Sequence, residues 1–337
     1  MTKKVTVVVD AYGGDNAPDA VLAGVEEALN KDANINIILT GLKETVEPFA
    51  AKHDRVQACP CTEVITMEEH PADAVRTKKD SSIVVGCNLV REGKAGGFFS
   101  AGSTGACMAA ALLRMGRIKG VSRPAIVTVI PTPAGEMVFC DIGANAICKP
   151  EYLVQFAKMG QVYSEVILGK ENPTVALLNI GEEETKGSQF AQDTYALLKE
   201  NVKNFAGNAE GKNLAIGGFD VIVTDGFTGN VALKTIEGTT KVLMSEIKEA
   251  LMSSLKTKIG ALLIKDALYS MKSKLSADTY GGAQLLGVKG VCLIGHGNSK
   301  PSAICSGILA TATAIREETP KKLAEAISSE DIENALN

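Results

Sequence analysis

Lys4-Val-Thr-Val-Val-Val-Asp10-Ala-Tyr-Gly-Gly-Asp15-Asn-Ala-Pro18 is the stretch from which the fold can be read. Lys4–Asp10 is a near-continuous β-branched run, the pattern of a strand buried on both faces of a parallel sheet. It stops at Asp10 in a cluster of glycine and small polar residues. A helix is expected next over Pro18–Asn30, with Val21, Val25 and Leu29 on one face. Strand, glycine-rich turn and helix in that order form the repeating unit of an α/β protein.

Five further junctions have the same form: Ser100-Ala-Gly-Ser-Thr-Gly105, Asp141-Ile-Gly-Ala-Asn145, Asn179-Ile-Gly-Glu-Glu-Glu-Thr-Lys-Gly187, Thr224-Asp-Gly-Phe-Thr-Gly-Asn230 and Gly295-His-Gly-Asn-Ser299. Strands are expected at Ile35–Thr40, Gly96–Ala101, Thr174–Asn179, Phe219–Asp225 and Val288–Ile294. Ala125–Pro131 and Met137–Asp141 form a pair around the turn at Pro133–Gly135. Helices are expected over Ser81–Glu92, Thr104–Met115, Glu151–Leu168 and Gln189–Asn201, and from about Ser302 and Pro320. Asn201–Asn213 is the most loop-like segment. The alternation predicts one α/β domain over residues 1–337, with a mostly parallel sheet covered on both faces. In such a sheet ligands bind outside the carboxyl ends of the strands. All six junctions are therefore expected on one edge, where backbone N–H groups and helix N-termini would hold an anion and a carbonyl oxygen.

Composition removes several alternatives. The net charge of −4 and the absence of tryptophan argue against nucleic-acid binding, which needs a basic face and stacking aromatics. Eight cysteines (59, 61, 87, 107, 140, 148, 292 and 305) sit mostly in apolar or glycine-rich runs without metal-ligand spacing, so neither metal nor disulfides are expected. No Gly-x-Gly-x-x-Gly, Walker loop, His-Glu-x-x-His or Gly-x-Ser-x-Gly motif occurs, and no cofactor is expected. Val5–Val9 is too short for a signal-peptide core and no stretch approaches a transmembrane helix, so a cytoplasmic location is expected.

One segment breaks the rhythm. From about Ala232 to Leu275 only helical periodicity appears, with Ile247, Leu251, Leu255, Ile259, Leu262 and Leu263 at three- and four-residue spacing. Such an excursion suits a dimer interface. Between Lys256 and Lys274, five lysines face a single Asp266 beside Ile259–Ile264, a basic amphipathic pattern suited to a membrane surface. The two readings are compatible if the helices dimerise along one face and expose their tip.

The junctions also suggest roles for particular residues. Ser100, Gly102, Ser103, Thr104 and Gly105 open a helix and turn N–H groups toward an anion, or else simply cap that helix. Lys186, after three glutamates, can anchor phosphate as a point charge, though charge runs are usually solvated loops. Asn230 can donate its amide to a carbonyl oxygen that gains charge, or cap the next helix. His296 between two glycines can bind a ligand or transfer a proton. Asp10, Gly13, Gly14, Asp15, Asp141, Asn145, Asn179 and Asp225 complete the set of binding positions, with the aspartates orienting donors because bare carboxylates would repel phosphate.

Taken in order, these motifs resemble the bacterial acyl-acyl-carrier-protein:phosphate acyltransferases of phospholipid synthesis. The resemblance runs from Val7 to about Ala314 and includes Gln155–Gly160, Leu177–Gly187, Asp225–Lys234 and Gly281–Gly287. It implies acyl transfer from an acyl-carrier-protein thioester to inorganic phosphate, with Lys186 and Asn230 catalytic. It also implies a homodimer with a three-layer αβα fold similar to phosphotransacetylases and isocitrate-dehydrogenase-like proteins, and a product passed to a membrane glycerol-3-phosphate acyltransferase. This sequence departs from the family pattern at Tyr12, usually Met, at Ser103, usually Asn, and at Ile147, usually acidic. A nicotinamide-dependent dehydrogenase and a non-catalytic carrier-protein-binding or membrane-scaffold protein are the alternatives from other classes.

Overall fold

Valine at alternating positions of the first strand explains the layering. Val7 and Val9 face one side of the sheet and Val8 the other, and both sides are covered. The computed structural model describes residues 3–268 and 281–328. Its eleven strands are β1 Val5–Asp10, β2 Ile35–Leu42, β3 Val56–Cys61, β4 Gly97–Ser100, β5 Ala125–Thr132, β6 Gly135–Cys140, β7 Val175–Leu178, β8 Phe205–Ala209, β9 Val221–Val223, β10 Ala283–Leu286 and β11 Val291–Ile294. They form one sheet in the order β3-β2-β1-β4-β11-β10-β5-β6-β9-β7-β8. Helices Ser82–Arg91, Thr104–Ala110 and the start of Gly226–Met252 cover one face. Helices Asp19–Lys31 and Pro301–Arg316 cover one half of the other face, and Pro150–Leu168, Gln189–Asn201 and Thr319–Ser328 cover its remainder.

Seven strand pairings are parallel and three antiparallel. The sheet is thus mostly parallel, as expected, but the exceptions reorganise its edges. β10 runs against both its neighbours, β11 and β5, so it reverses the direction twice and leaves β5 aligned with β11. The β5–β6 hairpin then reverses it once more. Strands β6, β9, β7 and β8 therefore point opposite to β1, β2, β3, β4 and β11. The expectation that six glycine-rich junctions share one edge is corrected: Asp10–Asp15, Ser100–Gly105 and Gly295–Ser299 lie on one edge, and Asp141–Asn145, Asn179–Gly187 and Thr224–Asn230 on the other.

Three strands were not expected. β3 contains Pro60 and β8 contains Gly207 at φ +98°, and these two are the sheet's outer strands, where interrupted β patterns are tolerated. The loop-like segment Asn201–Asn213 thus holds β8. β10 is only four residues long, inside a glycine-rich motif. The excursion begins earlier than expected, at Gly226. Helix Gly226–Met252 is about 40 Å long, yet its buried residues are Gly226, Gly229 and Leu233 alone, so most of it projects from the body. Ser253 and Ser254 interrupt it. A reciprocal cap between Ser254 and Thr257 then starts Leu255–Leu263, which folds back against the first helix. The expected helical pattern at 269–275, with Lys272 and Lys274, lies outside the described residues.

Candidate active site

On the first edge, three loops are bound to one another. Asp10 is buried and accepts hydrogen bonds from the Ser100 hydroxyl at 2.7 Å and the Tyr12 N–H at 3.1 Å. Burial raises its pKa, against the opposing hydrogen bonds from Ser82, Ser100 and Tyr12. The Ser100 hydroxyl accepts in turn from the Gly102 N–H at 3.0 Å. A side chain at Gly13 would strike the Ser100 hydroxyl and the Ala101 backbone, so glycine is required for this approach. Gly14 has φ +102°, and the next residue, the exposed Asp15, donates its N–H to the Gly297 carbonyl at 2.7 Å. Ser103 accepts from the Ala106 N–H and caps helix Thr104–Ala110. Thr104 and Gly105 are in its first turn, where N–H groups have no intrahelical acceptor.

On the second edge Asp141 is fully buried and accepts five hydrogen bonds. They come from the N–H groups of Ile126, Gly143, Ala144 and Asn145 and from the Asn145 amide, at 2.8–3.2 Å. Burial raises its pKa, with those donors opposing. Asn145 also donates to the Pro124 carbonyl at 2.8 Å, and its own carbonyl accepts from the Gly226 N–H. Asp225 caps helix Gly226–Met252 by accepting from the Thr228 N–H and hydroxyl. Asn179 accepts from the Ile180 N–H and donates to the Lys186 carbonyl, fixing the Lys186 loop. These residues build loops; their polar atoms are already engaged.

The two edges meet across the sheet face. Helix Thr104–Ala110 starts at the first edge and helix Gly226–Met252 at the second, and between them, over β10 and β5, lies a cavity of about 390 Å³. Thr104, Gly105 and His296 enter from one side; Asn230, Lys234 and Glu237 enter from the other. Ile126, Ile142, Leu233 and Ile294 supply an apolar floor. Asn230 lies against Gly143, whose φ of +147° favours glycine. Lys234 donates to Glu237 Oε2 at 2.7 Å. Glu237 Oε1 is buried without a hydrogen-bond partner, 3.8 Å from His296 Nε2.

Of the sequence-predicted residues, Thr104, Gly105, Asn230 and His296 are brought together by this cleft. Lys186 does not line it. Its ammonium is half exposed and 3.9 Å from Glu183, on the second edge, where β7 is the direct neighbour of the strand leading to Asn230. Lys186 therefore cannot share one strand-end cradle with Ser100–Gly105. Lys234 and Glu237 were missed. Their signal was the spacing Asn230, Lys234, Glu237, which places all three along one helix face. Ile147 is 92% exposed and outside the cleft.

No cysteine in the chain is poised as a thiolate. Burial raises the pKa of all eight, Cys61 to about 12 and Cys148 to about 11. The cleft thus offers hydrogen-bond donors and one lysine, paired with Glu237, but no thiolate nucleophile.

Sheet order, helical layers and a polar cleft over the central strands define a three-layer α/β fold, one that phosphotransacetylases share. A phosphotransacetylase from Streptococcus pyogenes superposes with a TM-score of 0.62 at 17% identity, covering 93% of this chain and 94% of that one. One from Staphylococcus aureus gives 0.56 at 16% identity over 93% and 94%. The chain belongs to the fatty acid synthesis protein family, which it matches over residues 5–322. It is 49% identical over 306 residues to a phosphate acyltransferase of Desulfitobacterium hafniense, covering 90% of this chain and 91% of the relative. Against a phosphate acyltransferase of Lysinibacillus sphaericus it is 44% identical over 328 residues, with 97% and 99% covered.

Proposed function

We propose that this protein is an acyltransferase that moves a fatty acyl group from an acyl-carrier-protein thioester to inorganic phosphate, giving acyl phosphate and free thiol. The supporting observation is the cleft itself: hydrogen-bond donors and the Lys234 ammonium over an apolar floor, without an activated thiol. Phosphate is ionised at neutral pH and is its own nucleophile. The protein needs only to hold it beside the thioester carbonyl and stabilise the oxyanion. In this reading the N–H groups of Thr104 and Gly105 bind phosphate at the first edge, and Asn230 faces the carbonyl oxygen. Lys186 is the catalytic cation of the second edge. Asp10, Asp141 and Asp225 hold the loops, and His296, steadied by Glu237, borders the phosphate.

The whole chain acts as one catalytic unit, since a single sheet carries both edges. The projecting helices supply a homodimer interface. Val242, Leu243 and Ile247 expose apolar surface along the first helix, and Leu262 and Leu263, 72% and 82% exposed, do so on the returning helix, in a segment that also carries Lys256, Lys258 and Lys265. That segment is the element for peripheral contact with the cytoplasmic membrane face, where a membrane glycerol-3-phosphate acyltransferase would take the product. Among the described residues no helix is long and apolar enough to cross a membrane.

The test is incubation with long-chain acyl-carrier protein and phosphate. Phosphate-dependent thiol release, with acyl phosphate trapped by hydroxylamine, is expected. A folded protein that releases no thiol with any chain length would overturn the assignment.

A further inference from the structure

A second cavity, of about 380 Å³, adjoins the cleft. Met108 lines both, and Gly143 of the first is followed directly by Ala144 and Asn145 of the second, so the two are neighbours across the Met108 side chain and the 143–145 loop. At its far end are Arg117, Ser122, Arg123 and Tyr152.

Arg123 is the unusual residue there. It is exposed at the cavity, its guanidinium lies 6.0 Å from the centre of the Tyr152 ring, and among the described residues no carboxylate pairs with it. The loop presenting it is nonetheless clamped from three directions. Gln155, only 2% exposed, accepts from the Ser122 N–H at 2.8 Å and donates to the Gly120 carbonyl at 3.0 Å. Arg117 donates to the Val121 and Ser122 carbonyls, and Asn145 to that of Pro124. A fixed loop displaying an unneutralised planar cation in a concave polar pocket suits a phosphate group.

We infer that Arg123 binds the phosphate of the arm through which the carrier protein bears its thioester, a reading that rests on the acyl transfer proposed above. A path for the arm is visible in the loop that joins the two cavities. Gly143 lies beside Asn230, and Asn145 of the same loop donates to the carbonyl of Pro124, next to Arg123. A phosphorylated pantetheine arm of two amide units, counted as extended chain, reaches about 15 Å. With the thioester at Asn230, its phosphate falls at the Arg123 end, away from the acceptor phosphate at Thr104 and Gly105.

The test compares wild type with Arg123→Gln and Arg123→Lys, using acyl-carrier protein and acyl-pantetheine without phosphate as donors. Loss of a charge-assisted hydrogen bond should raise KM for the carrier-borne thioester about tenfold or more in Arg123→Gln, with partial recovery in Arg123→Lys. KM for inorganic phosphate and for acyl-pantetheine should stay within about twofold. An unchanged carrier KM, or a rise confined to inorganic phosphate, overturns the inference. Calorimetry separates it from the catalytic reading, because it needs no turnover. Wild type should bind 4′-phosphopantetheine about tenfold tighter than pantetheine, and Arg123→Gln should bind them equally. Equal binding by wild type overturns the site even if acyl transfer is found, and absent turnover with the binding difference intact overturns only the reaction.

Discussion

Asp141 and Asn230 sit at neighbouring strand ends of similar composition, yet one is enclosed by five donors and the other faces an open cleft. The residue types were legible in the sequence, and so was the inference that the aspartates orient loops. Which polar atoms remain free was not legible, because it depends on contacts such as Asn145 to Pro124 across a long sequence separation. Free donors are where catalytic effects are expected. Asn230→Ala should lower kcat by about 10²–10³-fold, the usual cost of one oxyanion donor, with an unchanged melting temperature. An effect on thioester KM alone would make Asn230 a binding residue. Lys186→Ala should also lower turnover by orders of magnitude while the fold survives. Near-wild-type steady-state rates in that variant would remove Lys186 from the mechanism, a pointed test since its ammonium lies outside the cleft.

At the scale of elements, periodicity located the buried strands and long helices well, because a core strand or amphipathic helix carries its own pattern. It failed at β3, β8 and β10, which are short or interrupted and are held as strands by their neighbours' hydrogen bonds. The helix that carries Asn230 and Lys234 is fixed by close backbone contact at its first turn. A methyl group at Gly229 would collide with the Asp141 carbonyl oxygen, and neither backbone can yield cheaply. Gly229→Ala should therefore destabilise the protein by about 1–3 kcal/mol and lower activity, seen as a shift in the urea midpoint. The returning helix of the same excursion should be separable from the chemistry. Leu262→Glu with Leu263→Glu removes two exposed apolar groups and adds charge beside the lysines. Flotation with anionic liposomes should fall sharply while turnover with soluble substrates is retained; undiminished flotation would exclude this segment as the membrane contact.

For the whole molecule, the reversal of strand direction is the feature that matters most, and half of its cause was visible. The Ala125–Pro131 and Met137–Asp141 pair was recognised as a hairpin, and one hairpin in an otherwise parallel sheet sends the following strands the other way. What could not be read was that β10 would enter between β11 and β5 and cancel its own effect, since a four-residue strand in a glycine-rich motif has no direction in sequence. The result is a site built across the sheet rather than along one edge, and away from it an ion pair ties helix Pro301–Arg316 to the early part of the chain. Arg316, late in helix Pro301–Arg316, does so by pairing with Asp32 at 2.7 Å and donating to the Lys3 carbonyl at 3.0 Å, with Asp32 and Arg316 only 17% and 16% exposed. Burial alone would raise the Asp32 pKa, but the Arg316 hydrogen bond and charge, with the Asn34 N–H and Arg55, outweigh it and hold the carboxyl below its ordinary 3.8. The sign follows from linkage: a carboxyl depressed in the folded state adds stability above its unfolded pKa, and that stability is lost as pH falls through the folded value. Asp32→Asn should accordingly be less stable than wild type by about 1–2 kcal/mol at pH 7. The gap should narrow once the pH drops below about 4. Urea unfolding at both pH values would decide it, and a gap that stayed constant would mean that packing, not charge, holds the two ends together.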